Sequence, residues 1–207
     1  MLLKAIFAVF LAVGIAQCQT PPGFEPSTSH KLGVKFGKKA AAHQGNKLDK
    51  SDTNHAPHLK VKSLKDDVEF PHLMQQTMSN SRYIVFMIDL DVPRNDTKVP
   101  FLHWYQPGLK VDRKTGKLHI PNSNHLDQAE YYPPSPPPGP EHRYVELLFD
   151  QPQHYTMPSE FKKYLDKKPS TRVGFDIGEF VKAADLKRPI AGNWFLVQET
   201  DEEDDEL

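Results

Sequence analysis

The sequence predicts a mostly β domain, built from antiparallel strands with a few short helices at its periphery. Three observations carry that expectation. Nineteen prolines and a mean hydropathy of -0.61 argue for a loop-rich β protein rather than a helical bundle. The strongest apolar runs are short and rich in β-branched and aromatic residues, as in Tyr83-Ile84-Val85-Phe86-Met87-Ile88. The segments also follow one another as strands, then a helix pair, then a closing strand.

Taken in order, residues 17–30 are rich in Pro and Ser and read as a loose N-terminal arm. Leu32, Val34 and Phe36 alternate with polar residues, the period of a half-buried strand. Ala40 to Pro57 is polar and turn-like, and His58 to Leu64 reads as a second strand. Tyr83 to Asp89 is a continuous apolar run, suited to a strand buried on both faces. Phe101 to Val111 supplies another, with Gly108 marking a bulge. His142 to Phe149 and Asn193 to Val197 complete the strands. Between them, Phe161, Tyr164 and Leu165 follow Pro158-Ser159 as a short amphipathic turn. Asp176 is placed to cap a helix with Glu179 three residues on, and Ile177, Phe180, Val181 and Ala184 share one face.

The two ends bear on where the protein works. Met1 to Ala16 has one early cation, Lys4, and then an apolar run with small residues Gly14 and Ala16 at its end. That is the pattern of a secretory signal peptide with cleavage after Ala16 or as late as Cys18, and the run is too short for a membrane span. Cys18 is the one cysteine, so the exported chain has no internal disulfide and its core alone must hold the fold. Residues 199–207 form an acidic tail ending Asp204-Asp205-Glu206-Leu207. Its last three residues match the tetrapeptides that return proteins to the endoplasmic reticulum, so lumenal retention is expected, with secretion as the alternative. Asn95-Asp96-Thr97 is a glycosylation acceptor that fits either. The formal net charge is -1 and the lysines are dispersed, so nucleic acid is not an expected partner.

The chemistry gathers in the middle third, where acidic and imidazole side chains stand beside strand-like runs. Such groups are costly to bury unless paired, and their concentration at strand ends predicts a built polar site. Asp89 and Asp91 are two apart and share a face if the strand continues through them. A neighbouring carboxylate is expected to raise the pKa of His103 or His142 and keep the imidazole cationic. Cationic imidazoles, the Tyr144 hydroxyl and backbone N–H groups of the Ser135 to Gly139 loop, Pro136 included in its frame, then suit a phosphate or carboxylate. Asp89 is expected to orient a histidine or meet an amine, and Arg143 to form a structural ion pair. Asp91 divides between ligand contact and turn-capping before Pro93. Two His and two Asp could bind zinc, but no His-x-x-x-His spacing occurs and no metal or other cofactor is expected. No Gly-x-Ser-x-Gly motif is present either.

Asp89-Leu90-Asp91-Val92-Pro93 resembles the Asp-Pro-Asp-x-Pro signature of the phosphatidylethanolamine-binding protein family. His103 falls where that family has its pocket histidine. Ser135 to Val145, a Gly/Pro loop leading into His142-Arg143-Tyr144, is similar to its second signature. Phe175-Asp176-Ile177 and Ala191-Gly192-Asn193-Trp194-Phe195 resemble its late helix and closing strand. The likeness covers residues 31–198, in order. Leu90 departs from the usual proline and Glu141 from a small or apolar residue, which bears on the pocket's width and ligand rather than the fold.

The resemblance implies a Greek-key antiparallel β-sandwich with an anion pocket at Asp89, Asp91, His103, Ser135, Pro136, Gly139, His142 and Tyr144. Three functions are compatible with it. One is binding of an anionic small molecule or phospholipid head group. Another, from fungal relatives of this type, is an enzyme or accessory role in secondary-metabolite assembly. There a maleic-anhydride-type polyketide unit is coupled alongside a ketosteroid-isomerase-like partner, and Asp89, His103 and His142 are the candidates for any catalysis. The third is inhibition of a protease or kinase through a surface loop.

Overall fold

A computed structural model describes residues 18–61, 81–112, 114–121 and 127–199. The signal-peptide stretch and the acidic tail beyond residue 199 lie outside the described residues, as do residues 62–64 of the second expected strand.

The strands are β1 (Gly33–Phe36), β2 (Ala40–Ala41), β3 (Asn46–Lys47), β4 (His58–Lys60), β5 (Arg82–Arg94), β6 (Thr97–Val111), β7 (Leu118–His119), β8 (His142–Gln151) and β9 (Ala191–Val197). They form a three-stranded sheet in the order β2-β1-β4 and a six-stranded sheet in the order β3-β9-β8-β5-β6-β7. All pairings are antiparallel except β3 with β9. Short 3-10 helices at Lys50–Thr53, Ser159–Leu165 and Pro169–Arg172 and one α-helix, α1 (Ile177–Ala183), complete the described elements. The mostly β architecture expected from the sequence is the one observed.

The continuous apolar run of β5 is explained by its central place in the large sheet, since a strand covered on both faces has no solvent side to spare for polar residues. Tyr83, Val85 and Met87 point into a core shared with Val34, Phe36 and Leu59 of the small sheet. Ile84, Phe86 and Ile88 point the other way, under Phe161, Phe175, Ile177 and Phe180 of the helical segments. The period of two along one strand thus divides the molecule into two cores. Phe86 anchors the second, with ring centroids 5.1 Å from Tyr105, 5.7 Å from Phe149 and 5.0 Å from Phe180. Such tilted and edge-on pairs each add about 1 kcal/mol beyond burial. Helix α1 is held at its start by Asp176, whose side chain accepts from Glu179 N at 3.0 Å.

Two strands run further than their apolar runs indicate. β5 continues past Asp89 through Pro93, and β6 begins at Thr97, before Pro100. Prolines normally mark strand ends because they cannot donate to the ladder. Here the hairpin turn overrides them. Arg94 pairs with Thr97 across Asn95 (φ 46°) and Asp96 (φ 60°), and two left-handed residues in succession make the tight turn that matches strand twist. Gly108 (φ 81°) lies where the β5–β6 register shifts between Tyr83 and Val85, the bulge its sequence position predicts. The stretch read as a loose arm is partly packed: Thr20 and Thr28 are buried, and Gln19 N–H donates to Thr28 O at 2.7 Å.

Candidate functional site

Two further register shifts in the β5–β6 ladder build the site. Met87 pairs with Trp104 but Ile88 pairs with Leu102, so His103 is an extra residue on β6. Asp89 pairs with Phe101 but Val92 pairs with Val99, so β5 carries an extra residue within Leu90-Asp91. A bulge re-aims side chains that strict alternation would send elsewhere. These two turn His103 toward Asp89 and separate Asp89 from Asp91.

Asp89 is the hub. Its Oδ2 accepts from His142 Nδ1 at 2.8 Å and lies 3.9 Å from His103 Nε2, while its Oδ1 accepts from the Asp91 backbone N–H at 2.8 Å. Exposure falls to 2% for Asp89, 4% for His103 and 5% for His142, so the cluster is almost wholly shielded from solvent. His103 Nδ1 lies 2.7 Å from the carbonyl oxygen of Tyr132. A carbonyl only accepts, so the imidazole carries its proton on Nδ1 and turns an unprotonated Nε2 toward Asp89.

This reverses one expectation. Burial, the largest influence, lowers the His103 pKa to about 4, and the opposing pull of the Tyr132 carbonyl and Asp89 does not offset it. Arg172 and His142 push it further down. His103 is therefore neutral at physiological pH and offers an acceptor rather than a cationic donor. His142 gives its Nδ1–H to Asp89, which fixes the orientation of its ring.

Asp91 has a different task. Its Oδ2 accepts from the Arg143 backbone N at 2.9 Å and Nε at 2.8 Å, and its Oδ1 from Arg143 Nη2 and Lys98 Nζ, both at 2.9 Å. Burial acts to raise its pKa, but the hydrogen bonds from Arg143 and Lys98 outweigh that and hold the carboxyl well below the usual range. With both oxygens committed to cations of its own chain, Asp91 clamps β5 to β8. Arg143 makes the ion pair expected of it.

Tyr144 is fully buried, edge-on to His103 at 5.1 Å and stacked on Phe195 at 5.4 Å. Its hydroxyl has no hydrogen-bond partner of ordinary geometry, and burial together with neighbouring Asp89 drives its pKa up. In the loop before β8, Pro136 is buried, whereas Ser135 and Gly139 are exposed and Gly139 O accepts from Gln198 Nε2 at 2.8 Å. Ser135 and Gly139 thus lie at the surface, outside the buried cluster.

The sequence reading missed two parts of the surroundings. Arg172 is buried and donates to backbone carbonyls only: Glu130 O at 2.6 Å, Asp166 O at 3.3 Å and His103 O at 3.4 Å. It ties β6 to the 129–132 segment that holds the His103 ring, and nothing in Pro169-Ser170-Thr171-Arg172 marks it for that. Phe101 and Tyr132 flank His103 at centroid distances of 4.6 and 5.9 Å, with Tyr132 37% exposed at the rim. Among the described residues no group of three or more His, Cys, Asp and Glu is arranged to hold a metal ion, and no helix is long and apolar enough to cross a membrane.

The cluster brings together an imidazole oriented by a carboxylate, a second imidazole with a lone pair, and a phenol, flanked by the rings of Phe101 and Tyr132. Comparisons with known proteins agree with the fold. The family model described as phosphatidylethanolamine-binding protein matches residues 32–195. A protein of Talaromyces stipitatus named "Phomoidride biosynthesis cluster protein N" is 46% identical over 200 residues, 95% of this chain and 98% of that one. A protein of the same name from a fungal species is 42% identical over 142 residues, 69% of this chain and 59% of its own length. Among solved structures, carboxypeptidase Y inhibitor, complexed with its cognate proteinase, superposes with a TM-score of 0.60 at 20% identity, covering 84% and 85% of the two chains. A phosphatidylethanolamine-binding protein from Plasmodium vivax gives 0.55 at 21% identity, covering 82% and 85%.

Proposed function

The chain belongs to the phosphatidylethanolamine-binding protein family, and on that premise we propose that it serves the assembly of a secondary metabolite by binding an anionic organic acid at Asp89, His103 and His142. The observation that carries the pathway half is the near full-length identity to a protein named for a biosynthesis cluster. The ligand half is supported by the Asp89–His142 pair. Asp89 accepts a hydrogen bond from His142 Nδ1 and so orients the ring; in the imidazolium form the Nε2–H is then directed at a guest oxygen, to which it gives a charge-assisted hydrogen bond.

His103 refines the ligand class. Its neutral Nε2 accepts, so it meets an O–H or N–H of the guest, and a singly ionised dicarboxylic acid offers both an anion for His142 and a proton for His103. Maleic-type acids, the hydrated form of maleic anhydrides, have that character, and a ketosteroid-isomerase-like pathway protein is the partner this role implies. The likeness to carboxypeptidase Y inhibitor is one of fold, so proteinase inhibition gains no support from it. The secretory placement expected from residues 1–16 and Asp204-Asp205-Glu206-Leu207 belongs to this proposal too.

Calorimetric titration of the full chain with dimethylmaleate at pH 6 tests the ligand reading. Binding is expected, weakened at least about tenfold in His142→Ala by loss of one charge-assisted hydrogen bond. Equal binding by both proteins, or binding of phosphatidylethanolamine vesicles but no maleate, contradicts it. Disrupting the gene in its host is expected to deplete the metabolite, and an unchanged yield contradicts the pathway half.

A further inference from the structure

His142, Tyr144 and Glu146 alternate along β8 and so project from one face of it. Tyr144 and Leu148 belong to the core between the two sheets, which identifies that face as the inner one. Glu146 is 0% exposed there, and neither of its carboxyl oxygens has a hydrogen-bond partner among the described residues. The Tyr144 hydroxyl, two residues closer to the Asp89 cluster, is coupled to the Asp89 carboxylate but has no partner of ordinary geometry among the described residues. Buried polar groups are almost always paired, so two unpaired oxygens on one fully buried carboxyl call for an explanation.

The neighbours supply no partner. Glu146 lies opposite Met87 on β5 and Asn193 on β9. Met87 has no donor. Asn193 is fully committed: its Nδ2 donates to Leu32 O at 2.8 Å and Ala42 O at 3.0 Å, while its Oδ1 accepts from Gln44 N and Trp194 N. Tyr131, which is electrostatically coupled to Glu146, gives its hydroxyl to Thr53 O at 2.7 Å. With burial as the sole influence, the Glu146 pKa is pushed up to about 8, and the side chain at neutral pH is the uncharged acid, an O–H donor and a C=O acceptor.

We propose that Glu146 extends the Asp89–His103–His142–Tyr144 site inward and receives an uncharged carbonyl oxygen of the same ligand whose anionic end lies at His142. This rests on the anion-binding reading of that site. A strand rises about 3.3 Å per residue, so Tyr144 stands about 7 Å and Glu146 about 13 Å along β8 from His142. The ligand is therefore an acid carrying a further ester, acid or anhydride carbonyl within that span. Phospholipids and acyl-bearing organic acids share this chemistry.

The test titrates the full chain, Glu146→Leu and Glu146→Gln with three probes: monohexyl maleate, dihexanoyl phosphatidylethanolamine and inorganic phosphate, which has no carbonyl. Glu146→Leu removes an unpartnered acid from a core and is expected to fold. It should bind at least one carbonyl-bearing probe about tenfold more weakly than the unmodified chain while phosphate stays within about twofold. Glu146→Gln, which retains an N–H donor, should lose less than about threefold. Which of the two carbonyl-bearing probes responds separates the organic acid from the lipid. If Glu146→Leu binds both within about twofold while His142→Ala still abolishes phosphate binding, the inner extension is wrong and the anion site stands. If the unmodified chain binds none of the three, the anion site and its extension fall together.

Discussion

Replacing Glu146 by Gln is expected to stabilise this protein, and by an amount set by pH. The carboxyl is 0% exposed and unpartnered, and its pKa rises from 4.5 to about 8 on folding. Between those values the folded chain holds a proton that the unfolded chain has released, so the folded state binds more protons and stability falls as pH rises. The loss begins near the unfolded pKa, reaches about 3 kcal/mol at pH 7 and levels off at about 5 kcal/mol above pH 8, at 1.36 kcal/mol per unit. Gln has nearly the same shape and no titration, so the difference between the two proteins isolates Glu146. That matters because His103 acts oppositely: its pKa falls to about 4 on folding, so stability drops as pH falls from its unfolded value through about 4. Urea unfolding of both proteins at pH 4.5, 6, 7 and 8 is the assay. The curves should nearly coincide at pH 4.5 and separate by about 3 kcal/mol at pH 7, an increase of about 6–12 °C in melting temperature for a domain of this size. A difference that does not change with pH refutes the reasoning, since it means the acid is solvated or paired in the folded state.

Three other outcomes follow from the same geometry. Asp91→Asn leaves Arg143 and Lys98 without their carboxylate, but those cations are partly exposed, so the cost is expected near 2 kcal/mol by urea unfolding rather than the 3–5 kcal/mol of a fully enclosed pair. Loss of less than about 0.5 kcal/mol contradicts the clamp role. Phe86→Ala empties the centre of the aromatic cluster and should cost about 3–5 kcal/mol, whereas a cost under about 1 kcal/mol means the second core is not closely packed. Asn95 is exposed at the tip of the β5–β6 hairpin, so in a secretory host the protein should lose mass on treatment with an N-glycosidase, and Asn95→Gln should abolish that shift.

The strands were legible because burial on two faces leaves a continuous apolar run and burial on one leaves alternation, as in Tyr83 to Ile88 and Leu32 to Phe36. The capped helix was legible at Asp176 and Glu179. What escaped was set by register. Nothing local to His103 or to Leu90-Asp91 marks a bulge, yet the two bulges decide that Asp89 meets both imidazoles while Asp91 is drawn to Arg143. The charge state of His103 was misjudged for a related reason. Its partner carboxylate could be anticipated, whereas the burial that outweighs it depends on Phe101, Tyr132 and Tyr144 closing around the ring. Glu146 did leave a signal, an acid set among Tyr144, Val145, Leu147, Leu148 and Phe149, where a solvated strand face would show polar alternation instead.

The central claim is that His142, oriented by Asp89, is the group that grips an acidic guest. Nitrogen-15 spectra of the histidine-labelled protein during addition of dimethylmaleate report on that nitrogen directly. Saturable movement of the His142 Nε2 resonance, with Nδ1 still bonded to Asp89 and His103 still protonated on Nδ1, is the predicted result. A spectrum in which surface histidines respond and His142 and His103 stay fixed contradicts the account.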